Sequence, residues 1–145
     1  MFLLAILPVM ASFEKSDSFH GHSSGYYVFV DRIIIDKDSI IDVYPGKSLD
    51  MILSGRRLVL GKKNNNISFE VSAPDTGFLS FMLINFDRDW SRWRKEGIKD
   101  YTNLPAGHYS FRARYKATIG TEIESDPIDF RVLPAWYCST QARSE

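Results

Sequence analysis

Two aspartates stand two residues apart in the second half of the chain, and their side chains could do chemistry. Asp87 and Asp89 are followed by Trp90, Arg92 and Arg94. Paired carboxylates can serve as a catalytic acid and base or as ligands of a hard cation. At the end of a strand and beside two arginines, they are more typical of a turn cap or of ion pairs. We therefore favour a structural role for both.

Histidine and cysteine add little further chemistry. His20 and His22 lie in a Ser/Gly-rich segment, and His108 lies in a turn where we expect it to be solvated. Cys138 is the one cysteine of the sequence, which excludes an internal disulfide and a cysteine pair for zinc. Without a neighbouring base, we expect an inert thiol. We predict no metal ion.

Motifs of common enzyme classes are also missing. The sequence contains no G-x-S-x-G, P-loop or G-x-G-x-x-G motif. Residues 12–15 fit the S-x-x-K pattern of penicillin-binding enzymes, but the S-D-N and K-T-G motifs of that class are absent. The sequence therefore predicts a protein that is not an enzyme and has no cofactor.

Length and composition indicate one globular domain. The 145 residues are 44% hydrophobic and 25% charged, and 18 basic residues balance 18 acidic ones. A net charge of zero removes the electrostatic attraction on which non-specific binding to nucleic acid or anionic lipid depends. We expect no nucleic acid partner.

The first 25 residues differ from the rest. The apolar run 2–11 is about half the roughly 20 residues of a membrane-spanning helix, and Pro8 interrupts it. The run fits either a signal peptide, although no basic residue precedes it, or a strand of an upstream domain. Residues 14–25 are rich in Ser, Asp, His and Gly, as in a linker. We expect an N-terminal segment at 1–25, a domain at 26–137 and a tail at 138–145.

Period-two alternation of apolar and polar residues predicts strands. In 67–73, in 108–116 and in 128–132, apolar side chains occupy every second position. Turn residues such as Pro and Gly separate these stretches. We predict strands near 26–35, 49–53, 57–60, 67–73, 78–85, 108–117 and 126–133, with shorter ones near 90–94 and 100–103. This pattern predicts an all-β fold, an immunoglobulin- or fibronectin type III-like antiparallel β-sandwich of seven to nine strands, with a compact barrel as the alternative.

One turn before a strand carries a more specific signal. Pro105 and Gly107 form a turn directly before an alternating strand, and Tyr109 stands at the first inward position of that strand. This is the arrangement of a tyrosine corner, in which a buried phenol bonds to backbone a few residues upstream. Pro105 fits a turn position with φ near −65°, and Gly107 can adopt positive φ. We predict that Tyr109 is buried with its hydroxyl bonded.

Exposed aromatic and aliphatic side chains offer two further hypotheses. Trp90, Trp93 and Trp136 could stack on sugars, but we expect Trp90 in the core and Trp136 at the surface. Met82 and Ile84 face away from the core if their neighbours face inward. They could be covered by a loop or by a second subunit, and the sequence leaves both open.

Three blocks of sequence resemble a known family. They are N-N-I-S-F-E at 65–70, F-D-R-D-W at 86–90 and Y-T-N-L-P-A-G-H-Y-S-F-R-A at 101–113. In this order they are similar to the three-tyrosine (Y_Y_Y) domain, which follows the β-propellers in the sensor region of hybrid two-component regulators. The resemblance extends from about residue 26 to residue 137.

The resemblance implies a set of structural signature residues. They are Phe81, Phe86, Asp87, Asp89, Trp90, Tyr101, Leu104, Pro105, Gly107 and Tyr109. Phe81 stands where the family usually has its first tyrosine. Asn85 replaces a usual glycine and tolerates positive φ better than most residues. Residues 133–137 look like the segment that leads into a transmembrane helix, and residues 12–17 look like the connection from a preceding propeller.

The resemblance also implies a function. It suggests a non-catalytic periplasmic module that relays ligand-induced change from a β-propeller towards a transmembrane helix and a kinase. The expected partners are a second copy and the adjacent propeller, with contact to the membrane only through the downstream helix. The candidate interface consists of Met82, Ile84 and Trp136. The rival hypothesis is a secreted carbohydrate-binding β-sandwich that uses Trp93 or Trp136 as a stacking platform.

Overall fold

The computed structural model describes residues 25–47, 49–61 and 65–137 of the chain. Within these ranges, nine strands and one short helix follow each other, and residues 135–137 are also helical. The strands and the short helix are β1 Phe29–Ile35, β2 Ser39–Asp42, α1 Leu49–Ile52, β3 Leu58–Leu60, β4 Ile67–Ser72, β5 Gly77–Ile84, β6 Ile98–Tyr101, β7 Gly107–Ala117, β8 Glu122–Glu124 and β9 Ile128–Val132.

The strands form two sheets that face each other. The four-stranded sheet has the order β2-β1-β4-β6, and the five-stranded sheet has the order β3-β9-β7-β5, with β8 paired to β7. All pairs are antiparallel except β3 and β9, which are parallel. The prediction of a predominantly antiparallel sandwich with seven to nine strands is confirmed.

Alternating side chains build the core between the sheets. In β4, β7 and β9 every second residue is buried, as period two requires. Phe69 of β4 and Phe111 of β7 stack at the centre, with ring centroids 3.9 Å apart and planes within 2°. Both rings are fully buried. The core therefore joins the two sheets through direct aromatic contact.

The predicted strand at 49–53 is wrong, because this segment forms helix α1. Leu49, Ile52 and Leu53 have the i, i+3, i+4 spacing of one helical face, and all three pack on the core. The amide of Leu53 donates to the carbonyl of Leu49. Ser54 and Gly55 then adopt positive φ and end the helix. The helical turn thus places all three apolar side chains against the core.

The shorter elements also differ from expectation. β2 and β8 were not predicted; they are edge strands of four and three residues, too short for a clear alternation. β6 covers Ile98–Tyr101 rather than 100–103. Residues 90–94 form no named strand and make one isolated bridge, between Leu79 and Arg94.

The chain enters and leaves the sandwich at opposite poles. β1 begins at Phe29, opposite Ser72, and a short turn after Ser72 leads to Gly77 at the same pole. β9 ends at Val132, opposite Gly107. Gly107 begins β7, whose other end lies opposite Gly77. We call the ends of the sandwich the N-terminal pole and the C-terminal pole, and the packed core separates them.

Candidate functional site

Two of the signature residues, Asp87 and Tyr101, meet at a turn at the C-terminal pole. After β5, Asp87 folds back on the strand: its amide donates to the Leu83 carbonyl (2.8 Å), and its Oδ2 accepts from the Leu83 amide (2.9 Å). The hydroxyl of Tyr101 donates to the same Oδ2 (2.8 Å). Tyr101 is 3% exposed, and burial together with this hydrogen bond raises its pKa far above the usual value.

The two aspartates have the structural role that the sequence favoured. Asp87 caps the turn after β5, and Asp89 Oδ1 accepts from the amide of Trp90 (2.7 Å). Neither carboxylate makes an ion pair with an arginine within 4.0 Å in the described residues. Of the two alternatives, the structure therefore shows the turn cap, and Leu83 and Tyr101 occupy the Asp87 carboxylate.

Asn85 makes the turn possible without the glycine usual in the family. Its φ is 76°, in the left-handed region that asparagine tolerates. Its side-chain amide donates to the carbonyl of His108 (2.7 Å), so it ties the turn to the start of β7. The expectation of positive φ at this position is confirmed.

Tyr109 forms the predicted tyrosine corner. Its hydroxyl donates to the carbonyl of Pro105 (2.5 Å), four residues upstream. The side chain is 6% exposed, stacks on Phe130 at 5.4 Å, and has its pKa raised by burial. Gly107, the first residue of β7, has φ 158°. The phenol thus locks the turn to the strand that follows it.

The remaining signature residues divide between core and surface. Phe81 and Leu104 are buried in the core. Phe86 is 46% exposed and meets the Tyr101 ring edge-on at 5.7 Å. The sequence gives no indication that this phenylalanine lies over the tyrosine rather than in the core.

The tryptophans lie at the surface. Trp90 is half-buried rather than in the core, and the prediction for it is wrong. The Arg114 guanidinium lies 4.4 Å from the Trp90 ring centroid and 4.7 Å from that of Trp93. Attraction of this cation holds Trp90 on the outer face of the five-stranded sheet. Trp136 is 69% exposed at the C-terminal pole, as expected.

Met82 and Ile84 lie on the same outer face, half-buried. They stand opposite Arg112 and Ser110 of β7. Tyr137 lies 5.7 Å from the Arg131 guanidinium of β9, and its ring contacts that of Trp136. The candidate interface residues therefore lie towards one side of the sandwich.

Metal-ligating side chains do not gather in the part of the chain that the structure describes. No group of three or more His, Cys, Asp or Glu residues there could hold a metal ion. His108 is exposed, as expected, but it lies in β7, opposite Arg131, rather than in a turn. His20, His22 and Cys138 lie outside the described residues. Among the helices at 25–47, 49–61 and 65–137, none has the length and apolar character needed to cross a bilayer.

Comparison with known proteins agrees with the resemblance seen in the sequence. Residues 71–133 match the family model of the Y_Y_Y domain. The identification of a Y_Y_Y domain is therefore confirmed over this part of the chain. No curated protein sequence matches the chain significantly.

Solved structures share the fold. The extracellular domain of BT4673 from B. thetaiotaomicron, described as a hybrid two component system, matches at 21% identity with a TM-score of 0.55. That of BT3049, described in the same way and from the same organism, matches at 12% identity with a TM-score of 0.54. These matches cover 79% and 84% of this chain but 16% of each other chain, so this chain corresponds to about a sixth of their length.

Proposed function

We propose that the chain is a non-catalytic, periplasmic module of a hybrid two-component sensor. In this proposal it stands between a β-propeller sensor region and a transmembrane helix that leads to a kinase. The Y_Y_Y match over residues 71–133 supports the family context. The neighbours that share the fold are described as extracellular domains of such systems, which supports the location.

The observation that carries the proposal is the arrangement of the two poles. The described chain enters the sandwich at Phe29 and leaves it at Val132, at the opposite pole. Close-packed interiors are stiff, so a displacement at one pole moves the other with it. Such a module passes movement along its length and needs no reactive centre.

Signalling through this module requires at least two copies whose relative position changes. We assign the contact between copies to the outer face that carries Met82 and Ile84, with Trp136 at its C-terminal end. Half-buried apolar side chains of this kind contribute to an interface when a second surface covers the rest of their area. The adjacent β-propeller is the other partner, at the N-terminal pole.

Sedimentation equilibrium of the full chain tests this proposal. We expect concentration-dependent pairing that Met82→Lys and Ile84→Lys each abolish while the circular dichroism spectrum stays unchanged. Ile119→Lys is the matched control, since Ile119 is exposed in the turn after β7 at the opposite pole. A chain that stays monomeric at millimolar concentration would contradict pairing through this face.

Because Trp136 is exposed, the carbohydrate-binding alternative can be tested directly. An exposed indole can stack on a sugar ring. Calorimetry with a panel of oligosaccharides distinguishes the two functions, because the relay function predicts no heat. Binding heat that is lost in Trp136→Ala but kept in Trp93→Ala would support a sugar-binding module instead.

A further inference from the structure

A strap of residues 91–94 runs along the free edge of β5. The amide of Ser91 donates to the Phe81 carbonyl (2.8 Å). Leu79 and Arg94 exchange two backbone hydrogen bonds, of 2.7 and 2.8 Å. The Ser91 hydroxyl oxygen accepts from the Phe81 amide (2.9 Å), and the Ser80 hydroxyl donates to the Ser91 carbonyl (2.6 Å). The strap therefore forms hydrogen bonds with backbone N–H and C=O groups at the β5 edge, which would otherwise be free to pair with another chain.

Two tryptophans hold this strap against the sheet through one arginine. Arg114 stands opposite Ser80 in the β5–β7 pair, and its guanidinium lies against the rings of both Trp90 and Trp93. Lys116 adds a weaker contact, 5.6 Å from the Trp93 ring centroid. Trp90 directly precedes the strap and Trp93 lies within it, so attraction to Arg114 restrains the strap at two positions.

Ser80 provides the space for this arrangement. It lies between the inward residues Leu79 and Phe81, faces away from the core and is nevertheless fully buried. A larger side chain at this position would occupy the volume between the strap and Arg114. The small hydroxyl instead lies beneath the strap and bonds to it.

We propose that residues 91–94 are a guard over the β5 edge and that Arg114 is its latch. Closed, the guard prevents strand addition by a second copy of this chain along β5. Opening it frees the outward amides of Leu79 and Phe81, while Leu83 stays bonded to Asp87. The part of the β5 edge before Leu83 then becomes available for pairing. This contact is separate from pairing through Met82 and Ile84, which uses the face of the sheet rather than its edge.

Hydrogen exchange of the full chain tests the latch. In Arg114→Gln, we expect the amides of Leu79, Phe81, Ser91 and Arg94 to exchange roughly tenfold faster, the effect of losing a partly desolvated cation–π contact. Amides of the β1–β4 pair should keep their rates. The matched control is Arg112→Gln, which removes the neighbouring outward arginine and its 3.3 Å ion pair with Glu124.

Sedimentation tests the guard. In a Met82→Lys background, which removes pairing through the face, Arg114→Gln should gain self-association that Arg112→Gln does not. The proposal is overturned by unchanged exchange at the strap in Arg114→Gln or by equal acceleration of the β1–β4 amides. It is overturned equally by a strap that opens without any gain in self-association.

Discussion

Tyr101 and Asp87 share a hydrogen bond that joins the two sheets at the C-terminal pole. Tyr101 ends β6 in the four-stranded sheet, and Asp87 caps the turn after β5 in the five-stranded sheet. The Oδ2 atom that accepts from the Tyr101 hydroxyl also accepts from the Leu83 amide. A charged acceptor shared by two buried donors makes both bonds stronger than neutral ones.

Removing the Tyr101 hydroxyl should therefore cost stability. We expect Tyr101→Phe to lower the free energy of unfolding by about 1–3 kcal/mol, because Asp87 loses a buried partner. Asp87→Ala should cost more, since it leaves both Leu83 and Tyr101 without an acceptor. Urea denaturation measures both. Tyr27→Phe, at a more exposed tyrosine, should change stability by less than about 0.5 kcal/mol.

High pH should destabilise the folded chain because the Tyr101 hydroxyl ionises more easily in the unfolded state. Because the folded state raises the pKa of Tyr101, the stability that it contributes is present below pH ~10 and is lost as pH rises above the unfolded pKa. Above pH ~10, unfolding releases a proton, so stability should fall by about 1.4 kcal/mol per pH unit from this group. Urea titrations at several pH values from 10 to 11.5 measure how the free energy of unfolding falls with pH. We expect this fall to be less steep for Tyr101→Phe than for the parent chain. Equal slopes would mean that Tyr101 ionises as easily folded as unfolded.

The tyrosine corner should contribute separately. Tyr109→Phe leaves the Pro105 carbonyl without its partner, and we expect a loss of about 1–3 kcal/mol in urea denaturation. Tyr109 and Tyr101 bond to different acceptors, so the double variant should lose about the sum of the two effects. A Tyr109→Phe variant as stable as the parent chain would rule out a stabilising role for this bond.

Substitutions at Asn85 should follow an order set by φ. Asn85→Ala loses the bond to His108 and places a methyl side chain at φ 76°, where non-glycine residues cost about 1–2 kcal/mol. Asn85→Gly loses the bond but relieves the backbone. In thermal unfolding, both the parent chain and Asn85→Gly should therefore have a higher midpoint temperature than Asn85→Ala. An alanine variant more stable than the glycine variant would contradict the left-handed geometry.

The features that the sequence predicted correctly are those encoded by neighbouring residues. Period two identifies β4, β7 and β9, and the turn before Tyr109 identifies the corner, because each signal lies within about ten residues. Helix α1 was missed because the spacing of Leu49, Ile52 and Leu53 is ambiguous over one turn. In so short a segment, packing on the core decides the conformation.

The features that the sequence could not predict depend on distant partners. Trp90 was expected in the core because an indole is largely apolar. Its actual partner, Arg114, lies on another strand, and only the register of β5 against β7 brings the guanidinium over the ring. The same holds for Asp87, whose partner Tyr101 comes from the opposite sheet.

A relay through the sandwich requires that its two poles move as one stiff body. Pulsed electron resonance distances between spin labels at Thr118→Cys, near the N-terminal pole, and Ala106→Cys, near the C-terminal pole, measure this most directly, in a Cys138→Ser background. With labelled chains diluted in an excess of unlabelled chains, so that only distances within one chain are measured, we predict a single narrow distribution that is the same at low and high protein concentration. A broad or two-peaked distribution would show that the sandwich yields between its poles and would contradict a relay through it.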